Sequence, residues 1–223
     1  MELMHSYPAV ETAGGVSFGG DQRVSADSVM RRCGCGVVAA ADLLLYLHRW
    51  HGDCYLPPLR SVPVESALKQ EQYEKILFRL RQKYIPIVYP FGTNGFALAA
   101  GINRFFKRCD VPIRARWGVP SALFWDTMEQ MLSEDLPVIL SVGMNFPKVW
   151  EEEKLNFYRD SGECPVITNR VRAHFVVVTG LDGEWMQVST WGQRRYIRRS
   201  EYDEFRRQHS GTLLSNLMYL RRI

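Results

Sequence analysis

Cys33, Cys35 and His174 are the side chains whose types and positions could support covalent catalysis. Both cysteines stand in RRCGCGVVAAADLLLYL, immediately before a long apolar run that predicts a buried helix. A thiol attacks as its thiolate, and the free N–H groups and dipole at a helix start lower the pKa of a thiol placed there. Cys35 fits this position better than Cys33, because the apolar run follows Gly36 and that glycine leaves room for a substrate. The same pattern is also typical of an inert buried cysteine.

His174 is the candidate general base. It lies in RAHFVVVTG, whose β-branched run predicts a buried strand, and it follows Cys35 by 139 residues. Cysteine peptidases of the papain kind have this order and about this separation. A lone histidine at the start of such a strand is also typical of a structural role.

A predicted hairpin follows that strand. The Asp-Gly pair at 182–183 separates two β-rich runs, which is a strong hairpin signal. The second run would return Ser189 or Thr190 to the imidazole of His174, where a hydroxyl could orient the ring. The tryptophan that comes next, Trp191, would shield that contact from water.

The type of element changes partway along the chain. Helical spacing of apolar residues predicts helices over 35–50, 64–84, 93–109 and 120–136. Thr93 or Asn94 and Ser121 are the predicted N-caps. Strands are predicted within 111–118, 136–144, 172–183, 184–192 and 193–199, with a short helix over 199–208. The stretch 145–165 is predicted to be a long surface loop, and the whole order of elements predicts an α+β fold.

Composition limits the class of protein. Apolar residues make up 46% of the 223 residues, which favours a packed core over disorder, and the net charge of +4 is spread over scattered basic pairs. A nucleic-acid surface would require a concentrated basic stripe, so no nucleic-acid partner is predicted. The longest apolar run, 37–47, is too short for a membrane span, and no secretory signal is predicted. Five cysteines without such a signal favour free thiols and a cytoplasmic location.

The segment HRWHGDC offers a competing constellation of His48, His51, Asp53 and Cys54. Its spacing is not that of a zinc signature, and Cys33 and Cys35 lack the two-residue gap that suits one tetrahedral ion. We therefore predict neither a metal nor a cofactor.

Four stretches carry a family resemblance. These are CGVVAAADLLLYL, FALAAGINRFF, LPVILSVG and AHFVVVTGLDGEWMQVSTWGQRRYIRRSEYDEF. Together they resemble the papain-like cysteine peptidases and, more narrowly, the bacterial double-glycine (bacteriocin-leader-processing) peptidases. The resemblance implies a papain-like fold, with an N-terminal helical half whose buried central helix carries the cysteine and a C-terminal antiparallel sheet that carries the histidine. It implies one domain over 1–223, with a helical part over about 25–135 and a β part over about 136–223.

The resemblance also implies roles for individual residues. Cys35 would be the nucleophile, His174 the general base and Ser189 the orienting residue, where the family has an acid. A serine can hold the ring by a hydrogen bond but adds no charge to stabilise an imidazolium.

The family's oxyanion glutamine lies about six residues before the nucleophile. Val29 occupies that position here, and the nearest glutamine is Gln22. Gln22, Ser28 or backbone N–H groups are the candidates to replace it.

The function implied is that of a cysteine peptidase or a related thiol acyl-transfer enzyme acting on a peptide or protein substrate. One alternative is a weak or inactive papain-like domain that binds a peptide or protein partner in the same groove. A transglutaminase-like or deamidating enzyme, which uses the same Cys-His pair, is a further alternative. The sequence leaves the oligomeric state open.

Overall fold

A computed structural model describes residues 1–54, 56–60, 67–145 and 150–223, except for the side chain of residue 53. Its helices are α1 Ser28–Cys33, α2 Cys35–Trp50, α3 Gln70–Lys83, α4 Gly95–Cys109, α5 Phe124–Ser133 and α6 Arg199–Phe205. Its strands are β1 Val10–Thr12, β2 Gly15–Val16, β3 Leu68–Lys69, β4 Ile113–Trp117, β5 Val138–Val142, β6 Leu155–Tyr158, β7 Ile167–Val171, β8 His174–Asp182, β9 Trp185–Thr190, β10 Gln193–Arg198 and β11 Leu217–Arg222. The predicted α+β class is confirmed.

The main sheet contains eight strands in the order β4-β11-β5-β8-β9-β10-β6-β7, and its neighbouring strands pair antiparallel. A smaller sheet, β2-β1-β3, is formed by the N-terminal segment and the two residues immediately before α3. Strand β4 was predicted as a strand within the helical part of about 25–135, and it joins the main sheet through β11. The two predicted parts of the chain therefore share one sheet.

Helix α2 begins at Cys35, as predicted, and is the central buried element. Its residues from Gly36 to Leu47 are all buried, and it packs on β8. Leucine and alanine suit such a helix because they favour helical backbone and bring no polar atoms into the core. The burial of this helix fixes the position of its first turn against the start of β8.

The hairpin between β8 and β9 forms as predicted, with Gly183 at a positive φ of 53°. Near the turn, Asp182 pairs with Trp185. A bulge between Val178 and Gly180 then shifts the register by one residue. Because side chains alternate along a strand, a one-residue shift exchanges the two faces of β9 relative to β8.

Two predictions about helix starts have different outcomes. Asn94 caps α4, since its side chain accepts a hydrogen bond from the N–H of Ala97 at 2.9 Å. Ser121 was wrongly predicted to cap α5. It begins a 3₁₀ turn ahead of that helix, and its hydroxyl accepts a hydrogen bond from Arg206 at 2.9 Å. The α-helix begins instead at Phe124, whose ring is buried in the core.

Other elements differ from prediction. Helix α1 was not predicted, although Asp27 caps it by accepting hydrogen bonds from the N–H groups of Val29 and Met30. The predicted loop at 145–165 contains β6, in which Leu155 and Phe157 are buried. Positions 61–66, where the helix predicted over 64–84 would begin, lie outside the described residues. In the described part of the chain, no helix combines the length and apolarity needed to cross a bilayer.

Candidate active site

The thiol of Cys35 lies at the first position of α2, directly after the N-cap residue Gly34. Burial raises the pKa of this thiol above its ordinary value, and the N–H groups of Phe175 and Gly36 oppose that effect without overcoming it. The prediction that the helix start would lower this pKa is therefore wrong for the free protein. The N–H groups at the helix start are in place, but desolvation of the charged form is a larger effect than their hydrogen bonds.

The imidazole of His174 lies at the first residue of β8 and is 8% exposed. Burial, with a smaller effect from the charge of Arg23, lowers the pKa of this ring to about 3. The ring is therefore neutral at neutral pH, the form that a general base requires.

Thr190, and not Ser189, contacts the imidazole. Nε2 of His174 and Oγ1 of Thr190 are 2.6 Å apart, whereas Oγ of Ser189 donates to the backbone oxygen of Phe18 at 2.9 Å. The assignment of Ser189 as the orienting residue is wrong. Beyond the bulge, Val177 pairs with Ser189, so even-numbered residues of β8 and β9 share a face and Thr190 lies on the side of His174.

Trp191 covers the imidazole, as predicted. Its ring stacks on that of His174, with centroids 4.6 Å apart and an interplanar angle of 20°. The backbone of Trp191 has a φ of 51°, an unusual conformation for a large residue. This conformation lets the chain turn back at the end of β9 while the ring remains over the His174–Thr190 contact.

Cys35 and His174 both line one groove with a volume of about 670 Å³. Phe175, which follows His174, presents its N–H to the Cys35 sulfur. Within the described residues, no hydrogen bond joins that sulfur to the imidazole. Because Nε2 is held by Thr190, Nδ1 is the ring nitrogen left for proton transfer.

The walls of this groove are largely apolar and aromatic. Phe91 and Phe96 are exposed at 74% and 57%. With them, the lining includes Val88, Trp117, Met144 and Leu213. An open groove with exposed aromatic side chains is suited to an extended chain with apolar side groups.

Gln22 is the amide that the structure brings close to Cys35. It is buried in the 3₁₀ turn Gln22–Val24, lines a pocket with Cys35 and His174, and donates from Nε2 to the backbone oxygen of Arg31 at 3.1 Å. Val29, at the family's glutamine position, lies in α1, and Ser28 is exposed at the start of that helix. Of the two side chains proposed to replace the glutamine, Gln22 is the one that reaches the site.

A buried carboxylate holds the loop that carries Gln22. Asp42, two turns along α2 from Cys35, accepts hydrogen bonds from the N–H of Gly20 at 3.1 and 3.0 Å and from the hydroxyl of Tyr73 at 2.7 Å. The hydroxyl of Tyr7 lies 3.4 Å from the same carboxylate. Burial raises the pKa of Asp42 to about 6, although these three donors oppose the effect.

The loop carrying Gln22 packs closely on Asp42 and on Ser189. A Cβ atom at Gly19, whose φ is +75°, would collide with the side chains of both residues. Sequence reasoning missed the role of Asp42 because nothing local marks it. A single acid in an apolar helix was the only signal available.

Cys33 lies at the end of α1 and is buried, and its thiol donates to the backbone oxygen of Pro90 at 3.2 Å. All five cysteines are free thiols.

The histidines of HRWHGDC face other partners. Nε2 of His51 lies 2.9 Å from the backbone oxygen of Asp135, and Nδ1 of His48 accepts from the N–H of Leu56 at 3.2 Å. No cluster of three or more potential metal ligands exists among the described residues.

Comparison of the chain with protein-family models gives no match, and comparison with curated proteins gives no relative. The assignment of this site therefore depends on its own geometry.

Proposed function

We propose that this chain is a cysteine peptidase, or a closely related thiol acyl-transfer enzyme, with a papain-like fold. A peptide or protein is its substrate and Cys35 its nucleophile. One observation carries the proposal. A thiol at a helix start and a neutral imidazole at a strand start line the same groove, and a hydroxyl on Nε2 leaves Nδ1 of His174 for catalysis.

The reaction follows from these positions. As Sγ of Cys35 attacks the amide carbonyl, Nδ1 of His174 takes the thiol proton. The tetrahedral intermediate then collapses, the C–N bond breaks, and the imidazolium gives its proton to the leaving amine. Water attacks the resulting thioester with His174 again as base, the C–S bond breaks, and the thiol regains its proton. An amine in place of water gives acyl transfer.

The oxyanion is stabilised by N–H donors beside Cys35. The backbone N–H of Cys35 belongs to the first turn of α2, where such groups have no partner within the helix. The side-chain amide of Gln22 lines the same pocket. Loss of one oxyanion donor costs roughly 10²–10³ in kcat in other hydrolases, which sets the expected effect of Gln22→Ala.

Thr190 supplies orientation without charge. A neutral hydrogen bond contributes about 1 kcal/mol, so Thr190→Val should lower the rate about tenfold. Ser189→Ala is the matched control, since Ser189 is the neighbouring hydroxyl and faces Phe18 instead. Equal losses in the two variants would contradict the assignment of Thr190.

Labelling with an alkyne-tagged iodoacetamide and a peptidyl epoxide, followed by mass spectrometry, tests the nucleophile. We expect the epoxide to modify Cys35, and His174→Ala to slow that modification. Cys33→Ser is the control, because the thiol of Cys33 is buried and bonded to Pro90. Epoxide labelling that is equal at all five cysteines, or that persists in Cys35→Ser, would contradict the proposal.

Turnover is tested on a pool of peptides from a digested protein, with cleavage products identified by mass spectrometry. We expect products from the wild type and from Cys33→Ser, and none above background from Cys35→Ser.

The five free thiols also lead us to propose a reducing location, the cytoplasm.

A second candidate function is a peptide-binding domain without turnover. Two observations favour it. Burial raises the pKa of the Cys35 thiol, and among the described residues no carboxylate acts on the imidazole of His174. Peptides that bind the groove but remain intact, together with an epoxide-unreactive Cys35, would support this function over hydrolysis.

A further inference from the structure

Two arginines lie where β10 and β6 meet. Tyr196 of β10 pairs with Tyr158, the last residue of β6, so Arg195 and Arg159 are the next residues along the two antiparallel segments, and the charge of Arg159 acts on Arg195. Like charges brought together in a sheet destabilise it. No salt bridge to either guanidinium exists among the described residues.

Arg195 lies on the face of the sheet that carries Thr190, since it pairs with Val188, two residues before Thr190 on β9. One of its terminal nitrogens donates to the side-chain oxygen of Gln193, and Gln193 pairs with Thr190 across β10 and β9. Nε of Arg195 is buried and has no hydrogen-bond partner in the described part of the chain. A buried N–H without an acceptor costs about 1–3 kcal/mol, so an acceptor supplied by a ligand would remove that cost.

A third arginine extends this positive region to Trp191. Arg23 donates to the backbone oxygen of Trp191 at 3.0 Å, and its guanidinium lies 5.9 Å from the centre of the indole ring. Asp21 accepts from Arg23 through both carboxylate oxygens and neutralises it in part. In addition to burial, the positive charges of Arg159 and Arg23 lower the pKa of Arg195. The three guanidinium groups therefore interact electrostatically.

We propose that Arg195 and Arg159, with Arg23 at their edge, bind a carboxylate of the substrate segment that leaves with the amine. This inference rests on the proposed function. A guanidinium pair offers parallel N–H donors that match the two oxygens of a carboxylate.

The leaving side follows from the mechanism. The acyl part remains on Cys35 beside Gln22, whereas the departing amine takes its proton from His174. The residues beyond the imidazole, Thr190 and then Arg195, therefore face the departing segment. An acidic side chain or a terminal carboxylate would both supply the anion.

Binding is tested first, in Cys35→Ser to prevent turnover. The probes are acetyl-Ala-Asp-Asp-Ala-amide, its Asn-Asn counterpart, and acetyl-Ala-Asn-Asn-Ala with a free terminal carboxylate. We expect the acidic peptide to shift the Nε–Hε NMR resonance of Arg195, and Arg195→Gln or Arg159→Gln to weaken its affinity about tenfold. The free-acid peptide distinguishes a terminal carboxylate from an acidic side chain.

Arg108→Gln is the matched control. It removes the same charge from an exposed residue at the far end of α4, which is a helix of 15 residues. Equal affinity for the acidic and amide peptides, or an equal loss in Arg108→Gln, would overturn the proposal. Tighter binding of a thymidine octanucleotide than of the acidic peptide would overturn it in favour of nucleic acid.

Cleavage separates this inference from the proposed function. Quenched peptides with Asp or Asn at the first two positions after the cleaved bond should differ about tenfold in kcat/KM, through KM, and Arg195→Gln should abolish the difference. Acidic binding without any cleavage would support the arginine site and contradict the peptidase. Cleavage with no Asp preference and no acidic binding would contradict the arginine site alone.

Discussion

Asp42 and Asp135 are two carboxylates with the same exposed fraction, but their pKa values are shifted in opposite directions. Each is 2% exposed, and both are tied to α2, since Asp42 belongs to that helix and Tyr46, one turn later, donates to Asp135 at 2.5 Å. Burial raises the pKa of Asp42 to about 6. Burial also acts on Asp135, but hydrogen bonds from Tyr46, His5 and the N–H of Met4 outweigh it and lower the pKa of that carboxyl.

The difference lies in depth and in the partners that face each group, since Asp42 is deep in the interior whereas Asp135 lies under the half-exposed ring of His5. Asp135 lies 2.6 Å from Nδ1 of His5 and 3.7 Å from Nε2 of His51, groups that can carry positive charge. Asp42 is faced by two hydroxyl groups and one backbone N–H, which are neutral. Three neutral donors do not outweigh the desolvation of the deeper Asp42, whereas the hydrogen bonds to Asp135 outweigh the smaller desolvation at its position.

His174 belongs to the same class as Asp42. It is buried against a neutral hydroxyl and an indole ring, and its pKa moves toward the neutral form. Asp42 and His174 thus have uncharged hydrogen-bond partners, although the charge of Arg23 adds to the shift at His174, and the ionisable partners lie elsewhere, where the N-terminal segment meets α2. This contrast separates two groups whose pKa moves toward the neutral form from one whose pKa moves toward the charged form.

Asp135→Asn should give the largest effect. Hydrogen bonds to a charged group contribute about 1.5–3 kcal/mol each, and Asp135 accepts them from Tyr46, His5 and the N–H of Met4, so we expect a loss of about 4 kcal/mol at pH 7 in urea unfolding. Asparagine tolerates the positive φ of 59° at this position, so backbone strain does not contribute.

The pH dependence identifies the cause. The folded pKa of Asp135 is depressed, so its stabilisation is present above the unfolded pKa and is lost as pH falls through the folded pKa. The deficit of Asp135→Asn should shrink at low pH. Glu134→Gln removes a charge from the exposed neighbour and should change stability by less than about 0.5 kcal/mol. A stability deficit that did not change with pH would show that the carboxylate charge of Asp135 is not what stabilises the fold.

Asp42→Asn should act in the opposite direction with pH. The folded pKa of about 6 exceeds the ordinary 3.8, so ionising Asp42 destabilises the fold by about 3 kcal/mol as pH rises from below 4 to above 6. The variant should lack that decline, measured as unfolding free energy against pH. Asp126→Asn, at an exposed position, is the control and should retain it. Parallel curves for wild type and Asp42→Asn would contradict the raised pKa.

Thr190→Asp would give His174 an ionisable hydrogen-bond partner, as Asp135 has in His5. A carboxylate beside Nε2 should raise the pKa of the imidazole and favour the thiolate of Cys35. We expect alkylation of Cys35 near neutral pH to accelerate about tenfold, which corresponds to one pKa unit. Thr190→Asn keeps a hydrogen bond without charge and should leave the pH profile of alkylation unchanged. If both variants gave the same profile, charge would not be the missing element.

Tyr73→Phe and Tyr7→Phe should give the smallest effects and should differ from each other. The hydroxyl of Tyr73 lies 2.7 Å from the Asp42 carboxylate, and that of Tyr7 lies 3.4 Å away. We expect a loss of about 1.5 kcal/mol for Tyr73→Phe and about 0.5 kcal/mol for Tyr7→Phe in thermal or urea unfolding. The reverse order would show that the longer contact is the stronger support of Asp42.

Local features of the sequence were sufficient for much of the fold. The apolar run after Gly36 predicted α2, Thr93 or Asn94 predicted the start of α4, and the Asp-Gly pair predicted the hairpin, because each signal lies within or beside the element it determines. The strand β6 also had a local signal, the alternation of Leu155 and Phe157, but neighbouring charges obscured it.

The site was predictable only in part, for a nonlocal reason. Counting outward from the turn without the bulge places Ser189 on the face of His174, and the bulge after Val178 reverses this in favour of Thr190. Gln22 reaches the site because Asp42 holds Gly20, a contact between segments that spacing does not reveal. The pKa of Cys35 depends on burial by the whole fold, which opposes the local effect of the helix start.

The raised pKa of the Cys35 thiol has a consequence for oxidation. Peroxide attacks a thiolate and not a thiol, so a buried thiol held protonated forms sulfenic acid slowly. In the unfolded chain the same residue has an ordinary cysteine pKa and reacts faster. Folding therefore protects this sulfur while the groove is empty, and in the proposed reaction it becomes vulnerable only at the moment when His174 removes its proton.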